Sequence, residues 1–239
     1  MTSRHPSQPP RPVAAGPFRL TGRSSAALFA VVGLALIVAT DQILPASTDR
    51  QAELRFWLAA RATGLVAFGL LTFQVSIGLL LSHPTNKSTW KLSKRVFPWH
   101  DHLWVFVMAF LAAHVLSLIA DPKSGVGLVG AFLPGLSEYR NVAVALGTIA
   151  LYALLITALS ARYTKLLPPG VWLRLHRLSI VVFALAWGHG VLAGTDTPTL
   201  RLVYIAAGVL VTLAAGYRYW VVRTARATRT DPPMEVART

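Results

Sequence analysis

The chain has 239 residues, 54% hydrophobic and 13% charged, with a mean hydropathy of +0.53 and a net charge of +14. Soluble domains carry about 25% charged residues, so a soluble globular enzyme and a disordered chain are both excluded. The absence of cysteine excludes disulfides, thiolate catalysis, iron–sulfur clusters and Cys-ligated metals. In so apolar a chain the positive charge reads as basic loops held against an anionic leaflet of a lipid bilayer, with no nucleic-acid partner.

Residues 1–23 are rich in Pro, Arg and Ser and lack apolar periodicity. They read as a disordered basic cytoplasmic tail. A bilayer span takes about 20 apolar residues, and six such segments follow, near 25–44, 56–82, 98–120, 141–160, 171–193 and 199–222. The expected fold is all-α: a polytopic six-transmembrane-helix bundle over 24–222, with a second basic cytoplasmic tail over 223–239. Arg19 and Arg23 ahead of the first apolar run would also suit a signal peptide, but no clean small-x-small site follows in ATDQILPAS, and a retained helix is expected.

Lys and Arg in the loops give the orientation. With the N-terminus inside, the inner segments hold 17 basic residues against three acids, and the outer loops hold six against six. Both termini are therefore expected in the cytoplasm, with the protein multi-pass in the inner (cytoplasmic) membrane.

Five of the seven histidines fall in two segments: His100, His102 and His114 in the third, His176 and His189 in the fifth. Ligating side chains at membrane depth are costly and point to function. Both segments run from inside to outside. The spacings of 14 and 13 residues span about 20 Å each at 1.5 Å per residue, so two parallel helices present two histidine pairs at matching depths. Bis-imidazole ligation of haem iron takes one imidazole from each side of the ring. The expected metal ligands are His100 with His176 near the cytoplasmic face, and His114 with His189 further out. His102 is an alternative to His100. Two haem b groups, or one, are expected between the third and fifth helices.

The phase of the fifth segment is awkward. Fourteen residues fall about 40° short of four turns, but thirteen fall about 140° short. A tilt, a bend near Gly188 or a π-bulge would be needed to bring His176 and His189 to one face. His114 and Asp121 share the His-x6-Asp spacing of His189 and Asp196, which suggests a weak internal repeat.

Haem propionates are anionic, so Arg177, Arg174 and Arg95 near the inner plane and Arg61 near the outer end of the second segment are candidate partners. Anchoring at the membrane surface accounts for Arg95 and Arg174 equally well. Trp90, Trp99, Trp172 and Trp220 read as interfacial anchors. Trp104 and Trp187 read as packing between helices or against porphyrin, and His5 and His83 as solvated or interfacial.

The LHR of Leu175-His176-Arg177, the His-x13-His of His100 and His114, the His-x12-His of His176 and His189, and RATGL at Arg61 together resemble the ferric reductase-like transmembrane domain family. That family includes NADPH oxidases, ferric-chelate reductases and the haem-binding membrane subunit of the bacterial methionine sulfoxide reductase system. The likeness covers roughly 55–222. It implies a stand-alone bacterial-type member that passes electrons to an external acceptor such as ferric iron, oxygen or a redox protein. Arg61 matches an Arg near the outer haem in that family. No Gly-rich phosphate loop follows the sixth segment, so the chain alone is not expected to oxidise NADPH. A separate flavoprotein reductase or the quinone pool would be the donor, making this a component of an oxidoreductase with no catalytic residue of its own. Some relatives bind flavin, but no motif here indicates it. The competing reading is a non-redox transporter or assembly protein whose histidines relay protons or pack helices. It would call for carboxylates deep among the helices, whereas Asp101, Asp121 and Asp196 lie near segment ends.

Overall fold

The computed structural model describes residues 22–43, 48–81 and 90–230. All regular structure among them is helical: α1 (Gly22–Ile43), α2 (Asp49–Leu81), α3 (Trp90–Ala120), α4 (Gly127–Phe132), α5 (Asn141–Arg162), α6 (Val171–His176), α7 (Ser179–Ala193) and α8 (Thr197–Thr230), with one 3-10 turn at Thr164–Leu166. Five stretches are long and apolar enough to cross a membrane: α2, α3, α5, α6–α7 taken together, and α8. The expected first span is a helix, α1, but its described apolar stretch, Ser24–Leu36, is shorter than a span. Most of the N-terminal tail with His5, the 82–89 stretch with His83, and residues 231–239 lie outside the described residues.

Burial follows the logic of a lipid-facing protein. Between helices, lipid gives no hydrophobic drive, so small residues that allow close approach take the interior. The buried set includes Ala59, Ala60, Ala67, Ala109, Ala143, Ala150, Ala207 and Ala214, while Leu202, Leu213, Ile205 and Trp220 are exposed on α8. Buried hydroxyls satisfy themselves locally: Thr63 donates to the Ala59 carbonyl at 2.6 Å, Thr72 to Phe68 at 2.8 Å and Ser76 to Thr72 at 2.7 Å. The larger core side chains gather at mid-depth. There Phe68 stacks on Phe183 with centroids 6.0 Å apart, and Leu71, Val107 and Val182 pack around them.

Two antiparallel hairpins, α2 with α3 and α5 with α6–α7, form the frame of the bundle. The α8 helix closes it against α2 and α7, and α1 lies mainly along α3. Sequence periodicity missed two features. The first is that the fifth segment is two helices: α6 ends at His176, and α7 begins at Ser179. The Leu178 N–H reaches back three residues to the Leu175 carbonyl at 3.0 Å before the four-residue ladder resumes with Val182 to Leu178 at 2.9 Å. This tighter winding adds rotation, which is what the 13-residue spacing lacks. The step at Arg177–Leu178 supplies only part of it, since 3-10 winding adds about 20° per residue over an α-helix, and a π-bulge would have unwound the helix in the wrong sense. Gly170, at φ 80°, supplies the left-handed turn into α6 that residues with a Cβ avoid.

The second is the 121–140 connection, which folds into an ordered cap around α4. The Ser137 and Ser124 hydroxyls tie its turns together. Tyr152 donates to the Phe132 carbonyl at 2.6 Å and Thr148 to Ala131 at 3.2 Å, holding α4 on α5. At the other end, α8 runs on to Thr230, eight residues past the boundary expected at 222.

Candidate histidine-pair site

The structure brings four histidines together as two pairs. His100 and His176 lie with ring centroids 6.0 Å apart and planes at 88°. His114 and His189 lie 6.2 Å apart at 77°. Within each helix pair the members sit at the same level, about 20 Å between levels by helical rise. His102 is not part of either pair. Its Nδ1 lies 2.5 Å from the carbonyl of Pro98 on its own helix, one turn earlier and at the proline that interrupts the α3 ladder.

A repeated backbone device holds the rings. The Nδ1 of His114 lies 2.7 Å from the Ala60 carbonyl on α2, and that of His189 lies 2.8 Å from the Ala143 carbonyl on α5. A carbonyl only accepts, so both Nδ1 atoms carry the proton and leave Nε2 as a free donor of electrons. The corresponding carbonyls for His100 and His176 are Gln74 and Thr157. Both of these Nδ1 atoms are buried and face their carbonyls at longer range than His114 and His189 face theirs. The four carbonyls are spaced alike: Ala60 and Gln74 are 14 residues apart on α2, and Ala143 and Thr157 are 14 apart on α5.

Four residues beyond each carbonyl stands a small residue: Gly64, Gly78, Gly147 and Ala161. A Cβ added at Gly64 would meet His114 Nδ1 at 2.7 Å; at Gly78, His100 Cε1 at 2.9 Å; at Gly147, His189 Nδ1 at 2.6 Å. Three imidazoles therefore occupy the space of a missing side chain. The 14-residue carbonyl interval recurs in both hairpins, whereas the two aspartates of His-x6-Asp differ: Asp196 pairs with Arg61 and Asp121 accepts from the Lys123 N–H.

The His114–His189 pair lines a cavity of about 440 Å³ that is mostly apolar and runs from Leu71 and Val107 at mid-depth to Trp57, Tyr139 and Thr195 at the far end. Its polar groups cluster at that end, where Arg61 forms an ion pair with Asp196. The cap contributes Val126, Ala131 and Tyr139 to the wall of the cavity. It is latched to the end of α7: Tyr139 donates its hydroxyl proton to the Ala193 carbonyl at 2.9 Å, and Arg140 Nη1 donates to the Leu192 carbonyl at 2.7 Å. Arg140 does so from a left-handed backbone at φ 36°, a conformation non-glycine residues hold only when their surroundings impose it.

Of the expected arginines, Arg61 reaches the cavity, and its observed partner is Asp196. Arg95, Arg174 and Arg177 are exposed; Arg174 and Arg177 flank His176 along the chain. Two residues missed by sequence reasoning stand near the His100–His176 pair. Gln74 Nε2 donates to the His100 carbonyl at 3.3 Å, and Arg218 of α8 lies in electrostatic reach of His176 and Arg177. A lone glutamine deep in an apolar span was the available signal for the first. Trp187 donates from Nε1 to the Tyr204 carbonyl at 2.9 Å, so it joins α7 to α8.

Among the described residues no group of three or more His, Asp or Glu side chains converges. Each pair can offer a metal just two nitrogen donors. Metal–imidazole bonds run about 2 Å, and the ring nitrogen is about 1.2 Å from its centre. Two imidazoles on opposite sides of one metal therefore stand about 6.3 Å apart. Both pairs are close to that separation, and a metal held there would take its remaining ligands from something other than protein. Comparison with protein-family models finds no match, and neither curated proteins nor solved structures give one.

Proposed function

We propose that this chain is a haem b-binding electron-transfer protein of the cytoplasmic membrane, with six spans and both termini in the cytoplasm. In this reading it is akin to the ferric reductase-like transmembrane family. The observation that carries the reading is the pair of His–His separations, 6.0 and 6.2 Å, at two depths of one apolar bundle. A two-nitrogen donor set suits a planar macrocycle that brings four donors of its own. Bound haem would supply one-electron redox chemistry.

The chain's own residues do the rest. His114 and His189 present Nε2 lone pairs because the Ala60 and Ala143 carbonyls hold their Nδ1 protons, which fixes the ring orientation and raises ligand basicity. His100 and His176 are the second donor pair. Arg61, at the polar end of the cavity, offers positive charge to a carboxylate, in exchange for or beside Asp196. Arg177, Arg174 and Arg95 offer the same at the other level. The Tyr139–Arg140 latch keeps the cap over the cavity and water out. Electrons would come from a separate flavoprotein or quinone and leave to an external acceptor.

Purification in detergent followed by a reduced-minus-oxidised spectrum tests this. A b-type spectrum with two haems per chain is the expected result. A folded, helical and colourless protein would overturn the proposal.

A further inference from the structure

We infer that Gly64, Gly78 and Gly147 are positioning residues, each dedicated to one imidazole: Gly64 to His114, Gly78 to His100 and Gly147 to His189. The inference deepens the haem reading and rests on it for its spectroscopic arm.

Contact argues for it first. A Cβ at these three positions would stand 2.6–2.9 Å from a ring atom, closer than a carbon and a ring atom can pack. Gly69, the third glycine of α2, has nothing within 4 Å. Gly190 of α7 also stands against a ring, Tyr204 Cε1 at 2.8 Å, so what sets Gly64, Gly78 and Gly147 apart is that their neighbour is an imidazole in carbonyl register. Helix-interior glycine is disfavoured relative to alanine, so at Gly64, Gly78 and Gly147 that cost coincides with a specific steric need.

The register argues for it independently. Gly64 and Gly78 are 14 residues apart on α2, as His100 and His114 are on the antiparallel α3. Each glycine follows by four the carbonyl that its imidazole faces. In a helix that carbonyl and the residue four later lie one turn apart on the same face. The missing side chain opens the path to the carbonyl, so the notch and the anchor are one device. A ring seated in the notch can neither rotate about its Cβ–Cγ bond nor slide along the helix. The glycines thereby fix both ring planes at His114–His189 and one of the two at His100–His176, where the planes stand at 77° and 88°.

The test is a double-mutant cycle between Gly64→Ala and His114→Ala, with Gly69→Ala as control, on the purified full chain. Thermal melting of haem-free protein is the first readout. Gly64→Ala should lower the melting temperature in the wild-type background and do so far less once the His114 ring is gone. An equal drop in both backgrounds would overturn the inference, whether or not haem binds. If Gly64→Ala alone does not fold, the double variant should; failure of both while Gly69→Ala folds would overturn it too. The second readout is the low-spin ferric EPR signal, which reports the angle between imidazole planes. Gly64→Ala should shift or abolish one of two signals and leave the other unchanged, and Gly78→Ala should do the reverse. Two unaltered signals in both variants would sink the inference while leaving the haem proposal standing. A wild-type protein that binds no haem would sink that proposal while the melting cycle still decides the notch.

Discussion

The two histidine pairs share a separation and a carbonyl register, and differ in how closely their rings are tied and covered. At His114–His189 both Nδ1 protons are held by carbonyls, both rings sit in glycine notches, and a latched cap covers the cavity. At His100–His176 only His100 has a glycine beneath it, and the helix carrying His176 stops at that residue. The first layer is therefore the more tightly tied of the two: its rings are held by closed carbonyl hydrogen bonds, whereas those of the second face their carbonyls at longer range.

The largest test of this contrast is removal of a ring. Under the proposed function, His114→Ala and His189→Ala should each abolish one haem per chain and leave the other with its bis-imidazole spectrum. His100→Ala and His176→Ala should give the opposite pattern. Pyridine haemochrome stoichiometry checks it, and a single shared phenotype for all four variants would merge the two layers into one site. A smaller effect is expected at the latch. Tyr139→Phe deletes the hydrogen bond to Ala193 and should cost about 1 kcal/mol, read by thermal melting. The loss should weaken the His114–His189 layer selectively, and equal weakening of both layers would remove the cap from the comparison. The smallest effect is expected at His102. His102→Ala removes one bond within α3 and should leave both layers intact. If it reproduces the His100→Ala spectrum, the lower pair is misassigned.

The depth of the four histidines was legible in the sequence, because spacing along a helix converts directly to height. His100 was the expected partner of His176 with His102 as the alternative, because spacing alone does not fix which of two residues two apart faces the next helix. The structure separates them: His102 turns back to the Pro98 carbonyl. The facing of His176 was hidden for another reason. Part of its phase comes from Arg177 and Leu178, where the chain changes its hydrogen-bond step, and nothing in their side chains announces that. The glycine notches were written in plain view as a 14-residue interval matching that of the histidines on the next helix. Backbone acceptors carry no sequence signature, so the interval had no visible meaning. The α4 cap was missed because six residues make too short a periodic pattern, and its order comes from Tyr152, Thr148 and Asn141 on the neighbouring helix.

The break after His176 has a consequence for how the molecule opens. A six-residue helix such as α6 has little stability of its own and depends on its contacts with α5. It is therefore the natural unit of local unfolding in this half of the bundle, able to swing out while α7 and the mid-depth packing of Phe68, Val182 and Phe183 stay in place. Backbone amides of Leu173 to His176 would exchange with solvent well before those of α7. The His100–His176 level would then open before the His114–His189 level.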